Sequence, residues 1–346
     1  MTLSPLPTNS SRFGGCTLTG ALSVTSHVRD TVSIIHGPRG CSHHNFSLLH
    51  ATASDNDRLA VPSLISTGLG ETDIVFGGEE ALARAIGSAA ERDVRAIFVL
   101  STCVIDTIGD DVAEVCSREY GLPVIPVPSA GFLGGTFQNG VANALIAIAA
   151  MAEPCHGNAG VNIIGEMNLE YEVEENYAEI SRLLSLSGIP VNCRFVHELP
   201  FEEIAYIGRA KLNILRHPAL EPVGLFLRER FGTPFVSSFP LGLSDTLSFI
   251  RTVTGACSID GEPAIDRERF LQEKILEDFR DLSGSSAVFS ASSADPDCLR
   301  AAGETADILH MTVRTQGNGT PVPVNVPVGT AGVRRMLHRW RRVLHA

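Results

Sequence analysis

Three of the chain's eight cysteines share one setting. Cys41 ends the segment Ile34-Ile35-His36-Gly37-Pro38-Arg39-Gly40-Cys41, where a β-branched run breaks into a Gly-Pro turn. Cys103 ends Ile97-Phe98-Val99-Leu100-Ser101-Thr102-Cys103, just past another apolar run. Cys16 follows Gly14-Gly15 and precedes the helical stretch Leu18–His27. Thiolates in such a set hold iron–sulfur clusters. Gly15, Gly37 and Gly40 would let backbone approach a bulky cluster and take positive φ, with amides donating to its sulfides. The alternative is a set of buried core thiols, the reading held for Cys116, Cys193, Cys257 and Cys298. Cys155 is left open. Structural zinc sites usually bring close CxxC-like pairs, and none occurs here. A nucleophilic Cys41 served by His36, His43 or His44 stays possible, but three cysteines in like settings argue for a shared ligand.

These cysteines need a scaffold that places strand ends together. Val32–Ile35, Val94–Leu100 and Pro123–Val127 read as buried parallel strands, with helices at Glu79–Ala90, Gly109–Glu119 and Gln138–Ala152. A turn-rich break at residues 153–158 precedes a second round. There Val161–Ile164, Val191–Val196 and Leu212–Leu215 are strands, while Glu172–Leu186, Phe201–Gly208 and Leu220–Phe231 are helices. After a linker at residues 255–263 come a charged helix at Asp266–Leu282, strands at Ala287–Phe289 and Ile308–Val313, and a terminal helix at Gly329–Leu344. The expected class is α/β: two to three Rossmann-like parallel-sheet domains, residues 1–155, 156–255 and 256–346, with the third reduced. Ligands in such sheets bind beyond the carboxyl ends of the strands. Two of the three cysteines fall there, as do Glu166 and His217, the titratable candidates for proton donation.

Composition narrows the class. The 346 residues are 44% hydrophobic and 19% charged, enough for a large core. The net charge of −12 gives no nucleic-acid footprint. The arginines of the last helix, Arg334, Arg335, Arg339, Arg341 and Arg342, read as a solvated face. The longest apolar run, Ala144–Ala152, is far short of the roughly 20 residues of a membrane span. Met1–Ser11 has no signal-peptide pattern, so a cytoplasmic location is expected. The two lysines, Lys211 and Lys274, lie outside any GxxxxGK[ST] loop. Any ATP-driven chemistry then needs another chain to hydrolyse the ATP.

The segments Gly14-Gly15-Cys16, His36-Gly37-Pro38-Arg39-Gly40-Cys41, Thr72-Asp73-Ile74-Val75-Phe76-Gly77-Gly78 and Thr102-Cys103-Val104-Ile105-Asp106-Thr107-Ile108-Gly109-Asp110-Asp111 resemble nitrogenase component 1. So do Pro128-Ser129-Ala130-Gly131-Phe132, Val161-Asn162-Ile163-Ile164-Gly165-Glu166 and Ala210-Lys211-Leu212-Asn213-Ile214-Leu215. The family includes the molybdenum–iron protein, its cofactor-assembly scaffold, dark-operative protochlorophyllide reductase and the reductive cyclase of a nickel tetrapyrrole. The resemblance implies that Cys16, Cys41 and Cys103 hold an iron–sulfur cluster, of the 4Fe-4S type, at a subunit interface. A second component 1-type subunit, identical or homologous, would supply any remaining ligand. An ATP-hydrolysing iron protein would deliver electrons, docking near the helix that Asp110 and Asp111 open. Two departures argue against dinitrogen reduction. His217 stands where dinitrogen-reducing subunits have a cofactor-ligating cysteine, and Val322–Gly332 shows no match to the C-terminal histidine segment. The resulting expectation is an oxidoreductase, the cluster-bearing subunit of a two-component reductase acting on a bulky substrate such as a tetrapyrrole, held between domains near His217 and Gly131–Phe132. The alternatives are a subunit of the iron–molybdenum cofactor-assembly scaffold and a metal-free α/β binding protein.

Overall fold

A computed structural model describes residues 15–58, 61–132, 134–155, 157, 159–289, 295–315 and 319–345. The elements in chain order begin with α1 (Thr17–Thr25), β1 (Val28–Arg29), β2 (Thr31–His36), α2 (Arg39–Asp55), β3 (Leu64–Ser66), α3 (Glu71–Phe76) and α4 (Glu79–Ala90). Next come β4 (Ala96–Ser101), α5 (Cys103–Ile108), α6 (Val112–Ser117), β5 (Val124–Val127), α7 (Phe137–Ala149) and β6 (Val161–Ile164). They are followed by α8 (Val173–Leu186), β7 (Val191–Phe195), β8 (Leu199–Pro200), a 3-10 segment at Phe201–Arg209, β9 (Leu212–Leu215), α9 (Glu221–Phe231) and β10 (Phe235–Val236). The chain ends with α10 (Gly242–Ala256), α11 (Glu262–Asp278), β11 (Ser286–Phe289), α12 (Pro296–Ile308), β12 (Thr312–Arg314), β13 (Thr320–Val322) and α13 (Gly329–Leu344).

The α/β class is as expected. The strands fall into the parallel-paired orders β3-β2-β4-β5, β10-β9-β6-β7 and β12-β11-β13, plus the short pair β1-β8. The chain folds as two compact units. One holds Phe13–Tyr171 with Asn192–Phe235, and so contains the first two sheets; the other is built from Glu172–Val191 and Val236–Ala346.

In the first unit, β2 and β4 are buried on both faces; β4 is an unbroken apolar run up to Ser101, and in β2 the only polar residue among the apolar ones, Ser33, is itself buried and bonded to Thr25. Val32, Ile34, Ile97 and Val99 pack with Leu82, Ile86 and Val115. The alternate residues Ile35, Phe98 and Leu100 join Leu22, Val141 and Leu145 on the other side. Registers Ile35↔Leu100 and His36↔Ser101 end both strands at one level, which is what brings the segments of Cys41 and Cys103 side by side. Helix α1 is held by α7 at backbone contact. A Cβ on Gly20 would lie 2.0 Å from Phe137 O, and one on Gly140 1.9 Å from Thr17 O. In the second sheet three asparagines link neighbouring strands. Asn192 Nδ2 donates to Asn162 Oδ1 (2.7 Å), and Asn162 Nδ2 donates to Asn213 Oδ1 (2.8 Å). In the other unit, Trp340 of α13 is fully buried among Phe279, Leu282, Phe289 and Met336.

Several local expectations change. Cys41 does not sit on a turn: Arg39–Asp55 is a helix with Cys41 in its first turn. Only Asn45, Leu49 and Thr52 of that helix are buried, so it carries no apolar stripe to read. Gly109–Glu119 is not one helix. Gly109, in left-handed conformation, ends α5, and Asp111 starts α6 by accepting a hydrogen bond from Glu114 N. The expected strand Ile308–Val313 is reduced to Thr312–Arg314, because Ile308 closes α12, capped at Asp295 with Pro296 at its first position. The terminal arginine face is less solvated than expected. Arg335 and Arg339 pair with Glu172, and Arg341 with Asp281. Among the described residues no helix is long and apolar enough to cross a membrane.

Candidate metal centre

Each cysteine of the trio stands at a helix start: Cys16 caps α1, Cys41 is the third residue of α2, and Cys103 is the first of α5. Helix N-termini present amide donors and partial positive charge, which favours thiolates and anionic clusters. Cys41 lies within electrostatic reach of both Cys16 and Cys103. The Cys41 thiol is pushed up by burial and then by the neighbouring Cys16 and Cys103. All three are free thiols at accessible positions, Cys16 exposed and the other two half-buried. They do not converge on one ion. Among the described residues, one set of three metal donors gathers within 4.8 Å, and it contains none of the trio. Three thiols that crowd electrostatically yet stand farther apart than a mononuclear site requires fit a multinuclear iron–sulfur group.

The loops that carry these thiols are fixed by a buried network. His36 Nε2 donates to Asp110 Oδ2 (3.1 Å), and Asp110 also accepts from Gly78 N. Thr67 Oγ1 accepts from Gly37 N and lies 3.1 Å from His36 Nδ1. Burial lowers the pKa of His36, so it stays neutral and both ring nitrogens are committed. It therefore cannot activate Cys41 as a base, and His43 and His44 point to an exposed helix surface. The Asp110 carboxylate is 4% exposed, so it is unavailable for docking a partner; Asp111 is the exposed cap of α6.

The glycines have separate roles. Gly37 has φ +152°, and a Cβ there would lie 2.1 Å from Thr102 Oγ1, the residue just before Cys103. Gly37 is thus demanded by the protein's own packing. Gly15 and Gly40 do not take positive φ; a Cβ on Gly40 would meet open space. Gly14 lies outside the described residues. Cys116, Cys193 and Cys298 are buried, and burial pushes the first two thiols up to about 12, as expected for inert core residues. Cys155 donates to Ala205 O at 3.6 Å.

Beyond the strands of the second sheet, charges are paired rather than poised. Glu166 Oε2 accepts from Arg194 Nε (3.2 Å) and Arg194 NH2 (2.8 Å), and Glu170 pairs with Arg216 at 2.7 Å. Glu166 is therefore clamped by a guanidinium. His217 caps a 3-10 turn, its Nδ1 accepting from Ala219 N at 3.1 Å. Phe132 is 78% exposed. The structure brings the cysteine trio together, but it does not gather His217 and Glu166 with it.

The group that spacing did not disclose is His27, His197 and Glu198, contributed by residues distant in sequence. His197 is buried and its pKa falls to about 2, by burial first and then by neighbouring His27, Arg194 and Arg58. The unfolded chain takes up this proton near pH 6.5 while the folded one does not, so stability falls as pH drops below about 6.5. The unfolding free energy from urea titrations should decline by about 1 kcal/mol per pH unit between about pH 6.5 and 5 from this residue, with His36 adding in the same direction. His197→Gln should flatten the slope, and an unchanged slope would refute the assignment.

A family model described as "Nitrogenase component 1 type Oxidoreductase" matches residues 16–300. The chain belongs to that family. It is 31% identical over 238 residues to the nitrogenase iron-molybdenum cofactor biosynthesis protein NifE of Clostridium pasteurianum, covering 67% of this chain and 51% of that protein. It is 31% identical over 330 residues to NifE of Methanococcus maripaludis, covering 88% and 66%. The nitrogenase molybdenum-iron protein alpha chain of Methanothermobacter thermautotrophicus is 29% identical over 243 residues, covering 64% and 51%. The chain thus spans about half the length of most of these relatives. A solved structure titled "Nitrogenase Cp1 at pH 6.5" shares the fold, with a TM-score of 0.67 at 23% identity over 86% of this chain and 60% of that one.

Proposed function

We propose that this member of the nitrogenase component 1 family is a cluster-bearing subunit of a cofactor-assembly scaffold, one that holds a metal–sulfur group and passes it on. The observation that carries the reading is the trio of helix-start thiols, with Cys41 within electrostatic reach of both Cys16 and Cys103. Such a cluster, when bound, supplies one-electron transfer and a ligating platform for further metal. The chain's own residues provide thiolates, the amides of three helix starts, and loops locked by His36 and Asp110. A second component 1-type subunit completes the ligand set, and an ATP-hydrolysing iron protein exchanges electrons or metal with it.

His217 favours assembly over catalysis on an anchored cofactor. Where the resemblance places a ligating cysteine, this chain has a histidine whose Nδ1 accepts from Ala219 N. An imidazole anchors an iron–sulfur cargo less firmly than a soft thiolate does, which suits a protein that must release it. NifE relatives also favour assembly over the tetrapyrrole reductase reading.

Anaerobic purification with endogenous partners tests the proposal. Expected are protein-bound iron and sulfide, an electron paramagnetic signal, no porphyrinoid absorption, and transfer of metal–sulfur cargo to a cofactor-deficient component 1 protein. The chain alone should hydrolyse no ATP, since neither lysine lies in a phosphate loop. Iron-free protein would overturn the cluster reading. A bound tetrapyrrole that is reduced on adding iron protein and ATP would overturn the scaffold reading in favour of the reductase.

A further inference from the structure

We infer that His27, His197 and Glu198 form a second metal site, separate from the cysteines, for one divalent transition-metal ion of the zinc or cobalt type. One donor atom from each residue lies within 4.8 Å of the others. The backbone brings them together. β1 and β8 pair in parallel with register Val28↔Leu199, so the residues just before each strand, His27 and Glu198, stand side by side. Leu199 N donates to His27 O at 3.0 Å and fixes that alignment. His27 and His197 have ring centroids 4.8 Å apart with planes at 23°.

The protonation states suit a ligand set. Asn168 Nδ2 donates to Ser23 O (2.7 Å) and Val196 O (3.0 Å), which fixes its amide. Its Oδ1 therefore accepts from His197 Nδ1 (2.6 Å), leaving the lone pair of that ring on Nε2. An outer partner that fixes the imidazole tautomer is the usual support of a metal-bound histidine. His197 and Asn168 are 5% and 4% exposed, so this half of the site is rigid. Glu198 is partly open and gives an ion its way in. Two imidazoles and one carboxylate are a borderline-soft donor set of the kind that holds zinc with an open position.

Cations already compete there. Arg58 NH2 lies 2.8 Å and His27 Nδ1 3.0 Å from the same oxygen of Glu198, while Arg194 nearby is engaged by Glu166. An entering ion must displace Arg58, whose side chain is one-third exposed and can turn to solvent. The ion also replaces the proton between His27 and Glu198. That proton moves to His27 Nε2.

The competition supplies the test. Co2+ alone is added to the full-length chain under anaerobic conditions. Cobalt on the cysteines shows sulfur-to-metal charge transfer; cobalt on this site shows ligand-field bands without it. Expected is one such nitrogen–oxygen equivalent, lost in His27→Ala and weakened about tenfold in Asn168→Ala. Arg58→Ala, a partly exposed change that leaves the core alone, should tighten it severalfold. Cobalt bound only with charge transfer, or equal binding in wild type and His27→Ala, would overturn the site. So would Arg58→Ala binding that is unchanged or weaker.

Discussion

Cys41→Ser and Cys103→Ser are each expected to lower protein-bound iron by about tenfold or more, a loss seen at metal sites even when only a supporting residue is removed. Cys298→Ser should leave iron unchanged. The contrast is physical. Cys41 and Cys103 are accessible thiols at helix starts, and each thiol of the trio raises the cost of ionising Cys41 until a metal takes the charge. Cys298 is 4% exposed within α12 and packs in the core of the other unit, away from the trio's unit. Iron counted by colorimetry after anaerobic reconstitution decides the matter. Equal iron in all three variants would remove the trio's assignment. A cluster held by three cysteines also lacks a fourth protein thiolate. The iron-loaded chain is therefore expected to sediment with a partner, and a 36.9 kDa monomer carrying full iron would contradict that.

Arg182→Met should destabilise the unit containing α8, α10, α11 and α13 by about 3–5 kcal/mol, because it strands two buried carboxylates. Glu179 and Glu268 have side chains 2% and 0% exposed, and both are held by Arg182. The fork is filled on each side, with bonds of 2.7 and 2.8 Å to Glu179 and of 2.8 Å to Glu268. Ala331 N donates to Glu179 at 3.0 Å, and Thr330 Oγ1 donates to Glu268. Those remaining donors cannot neutralise two charges. Arg182→Lys keeps the charge but loses the planar fork, so it should fall between wild type and Met. Adding Glu179→Gln and Glu268→Gln to Arg182→Met should recover part of the loss. Urea midpoints would show this, and a full-strength Arg182→Met protein would mean that the carboxylates find other compensation.

Much of the fold was legible because β2, β4, β6 and β9 are short, fully or almost fully buried segments dominated by apolar residues, broken only by Ser33, Asn162 and Asn213 within their apolar stretches, a pattern that buried parallel strands impose. Helix α2 was not, since it exposes most of its surface and so has no periodic stripe. The break within residues 109–119 was invisible to apolar periodicity, because a left-handed glycine and an aspartate cap end one helix and start the next. At the candidate centre, glycine-flanked cysteines were readable from spacing. The roles of Asp110 and Thr67 were not, since each meets His36 through a contact between segments more than thirty residues apart. His27 and Glu198 are separated by 171 positions, and only the strand pair β1-β8 reveals them as neighbours.

The crossing of α1 and α7 bears on how such a centre is filled. Gly20 and Gly140 allow the two backbones to touch, so Cys16 hangs from a helix that ordinary packing already locates. The same holds for Cys41 and Cys103, carried on ladder-paired strands and the His36–Asp110 bond. On the proposed function, this chain's share of a cluster site would be positioned by the fold itself. Loading costs little chain ordering, unlike a zinc finger that folds only around its ion. On the proposed function, the supply of metal to such a chain could then be regulated without regulating its folding.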